Sequence, residues 1–319
     1  MPLEGFNTIH ICIVLIGPGG RRMGTRRPVS FKSGKWTLKG YLHEPAGAPP
    51  FACLVMCHGF SGTMDRLQDH AAAFSEAGFA VLTFDYRNFG ESGGKPRQVI
   101  SIERQLNDIA AAIAFVRAQS NIDSGKVVLW GSSLGGGHVV VAAARDKRVA
   151  AVISQVPFNG FPKKVEGMTA GRRRQIVGAM LKDWLRGKLG LSPVYMAAVG
   201  HKGEFAVMAS DDAAAAVEAM SGGGATTWQN KVAPRILLEM VFYKPGNFAP
   251  FVSAPLLVCM AEGDKETPPE TVRELAEKAP RGELRRYPIR HFEIYREDIR
   301  DMVLRDQIAF LKTHLFVAG

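Results

Sequence analysis

The chain has 319 residues, 46% of them apolar and 22% charged, with a formal net charge of +10. That composition belongs to a globular protein with a sizeable core and excludes a disordered or collagen-like chain, and the length suits one large α/β domain carrying an insertion. No apolar run approaches a transmembrane span, and the four cysteines, at 12, 53, 57 and 259, lack the C-x-x-C or Cys/His spacing of a zinc site.

From the N-terminus, Ile9 to Ile16 is an apolar stretch about one strand long with no basic residue before it, a poor match to a signal peptide. Gly17-Pro18-Gly19-Gly20 mimics a phosphate loop but has no Lys-Ser/Thr pair after it. Residues 1–22 read as a non-native or mis-assigned start, with Met23 opening directly onto Gly24-Thr25-Arg26-Arg27, and residues 1–28 as a poorly ordered extension. Val29–Phe31 and Trp36–His43 alternate as a hairpin around Ser33-Gly34. Strands are expected at Phe51–Cys57, Ala80–Phe84, Val127–Trp130, Val149–Gln155, Pro255–Ala261 and Glu283–Tyr287. Helices are expected at Leu67–Ala77, Ile102–Arg117, Leu134–Arg145, Glu270–Lys278 and Met302–Leu315. Continuous apolar strands alternating with amphipathic helices predict a mostly parallel sheet of about eight strands, covered on both faces.

Phe158 to Pro250 breaks this rhythm. It offers a helix at Arg172–Gly187, a helical Ala213–Met220, a Gly-rich hinge at Ser221–Gly224 and a last segment from Trp228 to Tyr243. Six of the chain's 12 methionines fall here, as expected of an adaptable apolar surface or of ordinary cap core. The organisation is therefore a core of 29–157 and 251–319 with a cap or lid, 158–250, inserted after the sixth strand. Residues 1–40 hold 7 basic and 1 acidic side chains and residues 158–250 hold 12 and 7, so the core itself is near neutral. Arg172-Arg173-Arg174 has no interleaved stacking residues and reads as a solvated helix face that could also favour anionic substrates. No nucleic acid and no membrane is expected as a partner, and a homo-oligomer stays open. Cys53, Cys57 and Cys259 fit reduced, packed positions in a cytoplasmic protein.

In a parallel sheet the reacting groups lie beyond the carboxyl ends of the strands, and the chemistry-bearing residues of this chain fall there. Gly131-Ser132-Ser133-Leu134-Gly135 sits between a strand and a helix, the setting that lifts one serine hydroxyl, that of Ser133, out of a sheet edge. A serine hydroxyl needs a base, an orienting carboxylate and fixed donors for the developing oxyanion. His291, on a loop between the last strand and the last helix, is the candidate base; His138, His201 and His314 are poorly placed. Asp264, after the strand ending at Ala261, is the candidate acid, with Glu262 and Glu266 as competitors. The backbone N–H groups of Leu134 and Phe60 are the candidate donors, with His58 bracing their loop. Asp85 and Arg87 read as braces of that loop more than as reacting groups.

These residues in this order resemble the α/β-hydrolase superfamily over nearly all of 29–317. The resemblance rests on His58-Gly59-Phe60, Asp85-Tyr86-Arg87 with Gly90-Glu91-Ser92, Gly131–Gly137, Asp264 before Thr267-Pro268, and His291-Phe292. Within it the chain is most similar to the esterase and acyl-aminopeptidase-like branch, including dienelactone-hydrolase-like and cinnamoyl-esterase-like proteins, but with serine as nucleophile. Arg290 stands where that family usually has glycine. The resemblance implies acyl transfer to Ser133 with no metal or organic cofactor, acting on a small-molecule acyl substrate. Carboxylic esters are the first expectation. Thioester, amide, peptide or carbon–carbon cleavage, including polyketide processing, is the second, and a non-catalytic binding protein the third.

Overall fold

A computed structural model describes residues 24–162, 168–210, 212–215 and 226–316. β1 (Thr25–Ser33) and β2 (Trp36–Glu44) form an antiparallel hairpin, followed by β3 (Phe51–Cys57), α1 (Gln68–Glu76), β4 (Ala80–Phe84) and α2 (Ile102–Arg117). β5 (Ile122–Ser132), α3 (Leu134–Arg145) and β6 (Ala151–Gln155) complete the first part of the core. β9 (Leu256–Ala261), α6 (Pro269–Lys278), β10 (Gly282–Tyr287) and α7 (Glu297–Leu315) complete the second. The eight strands run in the order β1-β2-β4-β3-β5-β6-β9-β10, with β2 antiparallel to β1 and β4 and every other neighbour parallel.

β3 shows why the inner strands of the sheet are largely apolar, unlike β1, β2 and β10. Ala52, Leu54 and Met56 pack on the face covered by α1 and α7, through Phe74, Val303 and Leu311. Cys53, Val55 and Cys57 pack on the opposite face with Ile109 of α2, Val139 of α3 and Leu275 of α6. With both faces covered there is no polar side for a period of two to reveal. The three core cysteines are buried and unpaired, and burial pushes each thiol up to about 12, so they behave as small packing residues.

Between β6 and β9 the chain leaves the sheet through α4 (Ala170–Lys188), a two-stranded parallel ribbon of β7 (Ala197–Gly200) and β8 (Ala206–Ala209), and α5 (Ile236–Met240). Asp183 of α4 clamps Arg235 at 2.7 and 2.8 Å and accepts the Val194 N–H at 2.9 Å. Several hydrogen bonds tie the inserted segment back to the core, among them three from backbone N–H groups. The Ile102 N–H donates to Glu239 (2.8 Å), the Ala233 N–H to the Gln98 carbonyl (2.9 Å), and the Thr227 N–H to Asp65 (2.8 Å).

The structure departs from the sequence reading at several points. β1 begins at Thr25 and Arg27 bonds Glu44 at 2.9 Å, so residues 25–28, assigned above to an extension, belong to the sheet; they are polar because β1 is an edge strand with one face in solvent. The reading of 1–22, the Gly-rich hinge at 221–224 and the end of the helix expected over 213–220 lie outside the described residues. α7 starts five residues earlier than the apolar periodicity indicates, because its first turn is acidic (Glu297, Asp298), a composition favoured by the helix N-terminus but invisible to a hydrophobic pattern. The β7–β8 ribbon has no counterpart in the sequence reading, since four-residue strands are too short to show a period.

Candidate active site

β5 runs into α3 through Ser133, whose backbone sits at φ 56° and ψ −120°. A non-glycine residue here is strained by about 1–3 kcal/mol and persists only where neighbours fix it. They do so from both sides: the Ser133 N–H donates to the Gln155 carbonyl (2.9 Å), and its own carbonyl accepts from the N–H groups of Phe158 (2.9 Å) and Gly137 (3.1 Å). The turn also demands missing side chains. A Cβ on Gly135 would lie 2.2 Å from the Cys57 carbonyl oxygen, and one on Gly59 would lie 3.1 Å from the Ser133 Cβ. The loop after β3 therefore presses its backbone against the serine, and the next residue, Phe60, lines the same cavity as Ser133. The Leu134 N–H is the first of α3, where no intrahelical acceptor exists and the helix dipole favours negative charge.

Asp264 follows β9 and His291 follows β10. Their side chains meet at 2.7 Å between Asp264 Oδ2 and His291 Nδ1, with both residues buried. Asp264 Oδ1 accepts the N–H groups of Glu266 (2.8 Å) and Thr267 (2.7 Å), and Oδ2 also accepts the Thr267 hydroxyl (2.7 Å). Burial alone would raise the carboxyl, but the charge and hydrogen bond of His291 and the Thr267 bonds outweigh it and hold Asp264 below the usual carboxylate range. Burial would likewise lower the imidazole, yet the Asp264 carboxylate and its hydrogen bond, with a smaller contribution from Glu266, hold His291 above 6.5. Of the competing acids, Glu262 is spent on Arg286 at the surface, and Glu266 receives the Ser210 hydroxyl at 3.1 Å.

Ser133, His291, Gly59 and Phe60 line one cavity of about 400 Å³. Its apolar wall is formed by Phe60, Leu67, Val199, Met208, Trp228 and Phe292, with Arg66, Asp65, Asp69 and Arg300 among the polar lining residues. Of the methionines in the inserted segment, Met208 lines this cavity, whereas Met196 and Met240 are buried in the core. Most of the wall comes from the loops after β3 and β10.

The loop after β3 is held by Asp85, which is fully buried and accepts the N–H groups of Met64 and Glu91, both at 2.8 Å. Burial pushes its carboxyl up to about 6 against those two bonds. Arg87 is spent on Asp108, at 2.9 and 2.6 Å, and on Ser33. Both are braces. Asp85→Asn turns one acceptor oxygen into an NH₂ facing an N–H donor. The expected result is a loss of about 1–3 kcal/mol in stability, read by urea unfolding, with a fall in turnover as the Phe60 loop loosens.

His58, also on this loop, is buried with Nδ1 3.1 Å from the Gly59 carbonyl, and burial holds its imidazole down at about 4, in the neutral form. His138 is buried between Tyr243 (2.7 Å) and Gln105 (3.0 Å), and His314 pairs with Glu283. Two partners escape the sequence reading. Thr267 is one; it follows the Asx-turn that Asp264 makes with the Glu266 N–H, and a threonine just before Pro268-Pro269 at the start of a helix is the signal that could have revealed it. The other is Tyr295, whose hydroxyl lies 2.6 Å from Ser132 Oγ, itself bonded by Gln155 (3.2 Å), which in turn accepts from Gln307 (2.9 Å). No local pattern announces a contact across 163 positions. Among the described residues no group of three or more His, Cys, Asp or Glu side chains could hold a metal ion, and no helix is long and apolar enough to cross a membrane.

A doubly covered parallel sheet, with a serine on a strained strand-to-helix elbow, defines an α/β-hydrolase of the serine-hydrolase kind. The chain belongs to the serine aminopeptidase S33 family, whose pattern matches residues 48–299. It is 40% identical over 286 residues to the quorum-quenching protein AidA of Acinetobacter baumannii, covering 89% of this chain and 93% of that protein. It is 28% identical over 256 residues to the polyketide transferase ATR5 of Stachybotrys chlorohalonatus, covering 79% and 84%. The crystal structure of the α/β hydrolase GrgF from Penicillium sp. sh18 superposes with a TM-score of 0.77 at 26% identity, over 91% of this chain and 99% of that one.

Proposed function

We propose that Ser133, His291 and Asp264 carry an acyl transfer that hydrolyses carboxylic esters of small to medium acyl groups. The observation that carries this reading is the buried 2.7 Å contact of His291 Nδ1 with Asp264, facing the same cavity as a serine on a strained elbow. His291 takes the Ser133 proton through Nε2 as Oγ bonds to the substrate carbonyl carbon. The N–H groups of Phe60 and Leu134 hold the oxyanion. Collapse breaks the ester bond, and His291 returns the proton to the departing alkoxide. Water, deprotonated by the same imidazole, then attacks the acyl-serine and releases the acid.

A second reading keeps these residues and changes the bond. The likeness to a polyketide transferase supports polyketide processing as that second reaction; a thioester bond would be cleaved by the same steps, with a thiol as leaving group. A fluorophosphonate probe and p-nitrophenyl esters of graded acyl length test the assignment. Labelling at Ser133 is expected, with turnover falling once the acyl group outgrows the 400 Å³ cavity. Absence of labelling, or labelling unchanged in His291→Ala, overturns the acyl-transfer reading. Turnover confined to acyl-CoA or to aminoacyl substrates selects the second.

A further inference from the structure

α4 carries an apolar ridge that the rest of the described molecule does not cover. Val177, Leu181, Trp184, Leu185 and Leu189 fall along one side of the helix at the i, i+4, i+7, i+8, i+12 spacing and are 39–65% exposed. The opposite side faces the protein: Ile176 and Met180 pack against the core, and the buried Asp183 is clamped by Arg235 and the Val194 N–H. That clamp fixes which side of α4 packs on the rest of the described residues and turns the ridge away from them.

The ridge has a charge of one sign. Arg173, Arg174, Lys182 and Lys188 are exposed around it. The one acidic side chain between 170 and 191, Asp183, is on the buried side and already neutralised. An occupant must therefore be apolar where it meets the leucines and negative where it meets the cations. A second copy of the chain, paired ridge to ridge, would bring two sets of four cations together. A bilayer containing anionic lipid satisfies both demands. Leucines enter the boundary between headgroups and acyl chains, an indole sits at that level, and Lys and Arg lie among the phosphates.

We propose that α4 lies in the surface of anionic phospholipid membranes and docks the inserted segment onto them. Arg173 and Arg174 are exposed, as expected of a solvated face. A membrane partner, which the sequence did not lead us to expect, enters because an apolar side of the same helix is exposed beside them. The helix lies in the interface and does not span it. This inference is independent of the acyl-transfer reading, because its readout is binding.

The test is co-sedimentation of the full chain with vesicles of phosphatidylcholine alone and of phosphatidylcholine mixed with phosphatidylglycerol, alongside Trp184 fluorescence. Binding to the anionic vesicles is expected, with a blue-shifted emission that Trp184→Phe removes. Leu181→Asp with Leu185→Asp should weaken binding by about tenfold or more. Arg173→Gln and Arg174→Gln should each weaken it about fivefold. These positions are exposed, so unchanged melting curves and unchanged hydrolysis of a water-soluble ester show that the fold is intact. Failure of the wild-type chain to bind anionic vesicles overturns the proposal. So does equal binding of the aspartate double variant. A dimer in sedimentation velocity that this double variant dissolves also overturns it and assigns the ridge to a second copy.

Discussion

Ser133→Ala is expected to lower kcat on the order of 10⁵–10⁶-fold and to abolish fluorophosphonate labelling, with the fold intact. The size follows from the proposed division of labour: without the hydroxyl, His291 has no proton to take, and only binding and the proposed N–H donors, Phe60 and Leu134, remain. Stability should move differently. The φ of 56° at this position is a cost of the elbow, not of the hydroxyl. Alanine therefore keeps the strain, while Ser133→Gly should be more stable than Ser133→Ala by about 1 kcal/mol and equally inactive. Urea unfolding with paired turnover assays reads both. Residual activity in the alanine variant above about a thousandth of wild type would remove Ser133 from the nucleophile's role.

That strain marks how far the sequence could be read. The strand, the G-x-S-x-G turn and the following helix were legible because Gly131 and Gly135 are demanded by backbone contacts closer than any Cβ allows. The ends of β5 and β9 were legible because each closes on a continuous apolar run that stops at a polar, turn-forming segment, whereas β10 is a mostly polar edge strand marked by Leu284 and Tyr287. The positions of Asp264 and His291 followed from those ends. Their pairing as base and orienting acid was expected from the chemistry a serine needs, and the 2.7 Å contact across 27 positions is made by the parallel pairing of β9 and β10. The cavity wall was not legible. The methionine-rich segment read as either an adaptable apolar surface or cap core, and the described wall comes mostly from loops after β3 and β10, which are placed by Asp85 and Asp264 and leave no periodic trace. The exposed ridge on α4 escaped for a related reason: periodicity identifies an amphipathic helix but does not say which face the fold will cover.

Asp264→Asn is the sharpest test of the acid. It is expected to lower kcat by about 10⁴-fold, more than a lost hydrogen bond alone would do. Oδ1 can still accept the Glu266 and Thr267 N–H groups, so the turn survives. The amide NH₂ then faces Nδ1 of His291, which must give up its proton and become an acceptor. The proton moves to Nε2, the atom that has to receive one from Ser133. The pH profile separates this from simple loosening. The base works as neutral imidazole, so wild-type activity falls as pH drops through an inflection above 6.5, where the Asp264 charge holds His291. With that charge gone, burial is the dominant remaining influence and lowers the imidazole, so the inflection of the residual activity should move below 6.5. Glu266→Gln removes the smallest of the raising influences. It should shift the inflection down only slightly and keep kcat within about tenfold of wild type at high pH. If the losses are reversed, with Glu266→Gln inactive and Asp264→Asn mild, the orienting carboxylate is Glu266. In that case the 2.7 Å contact of Asp264 serves only to pack the turn.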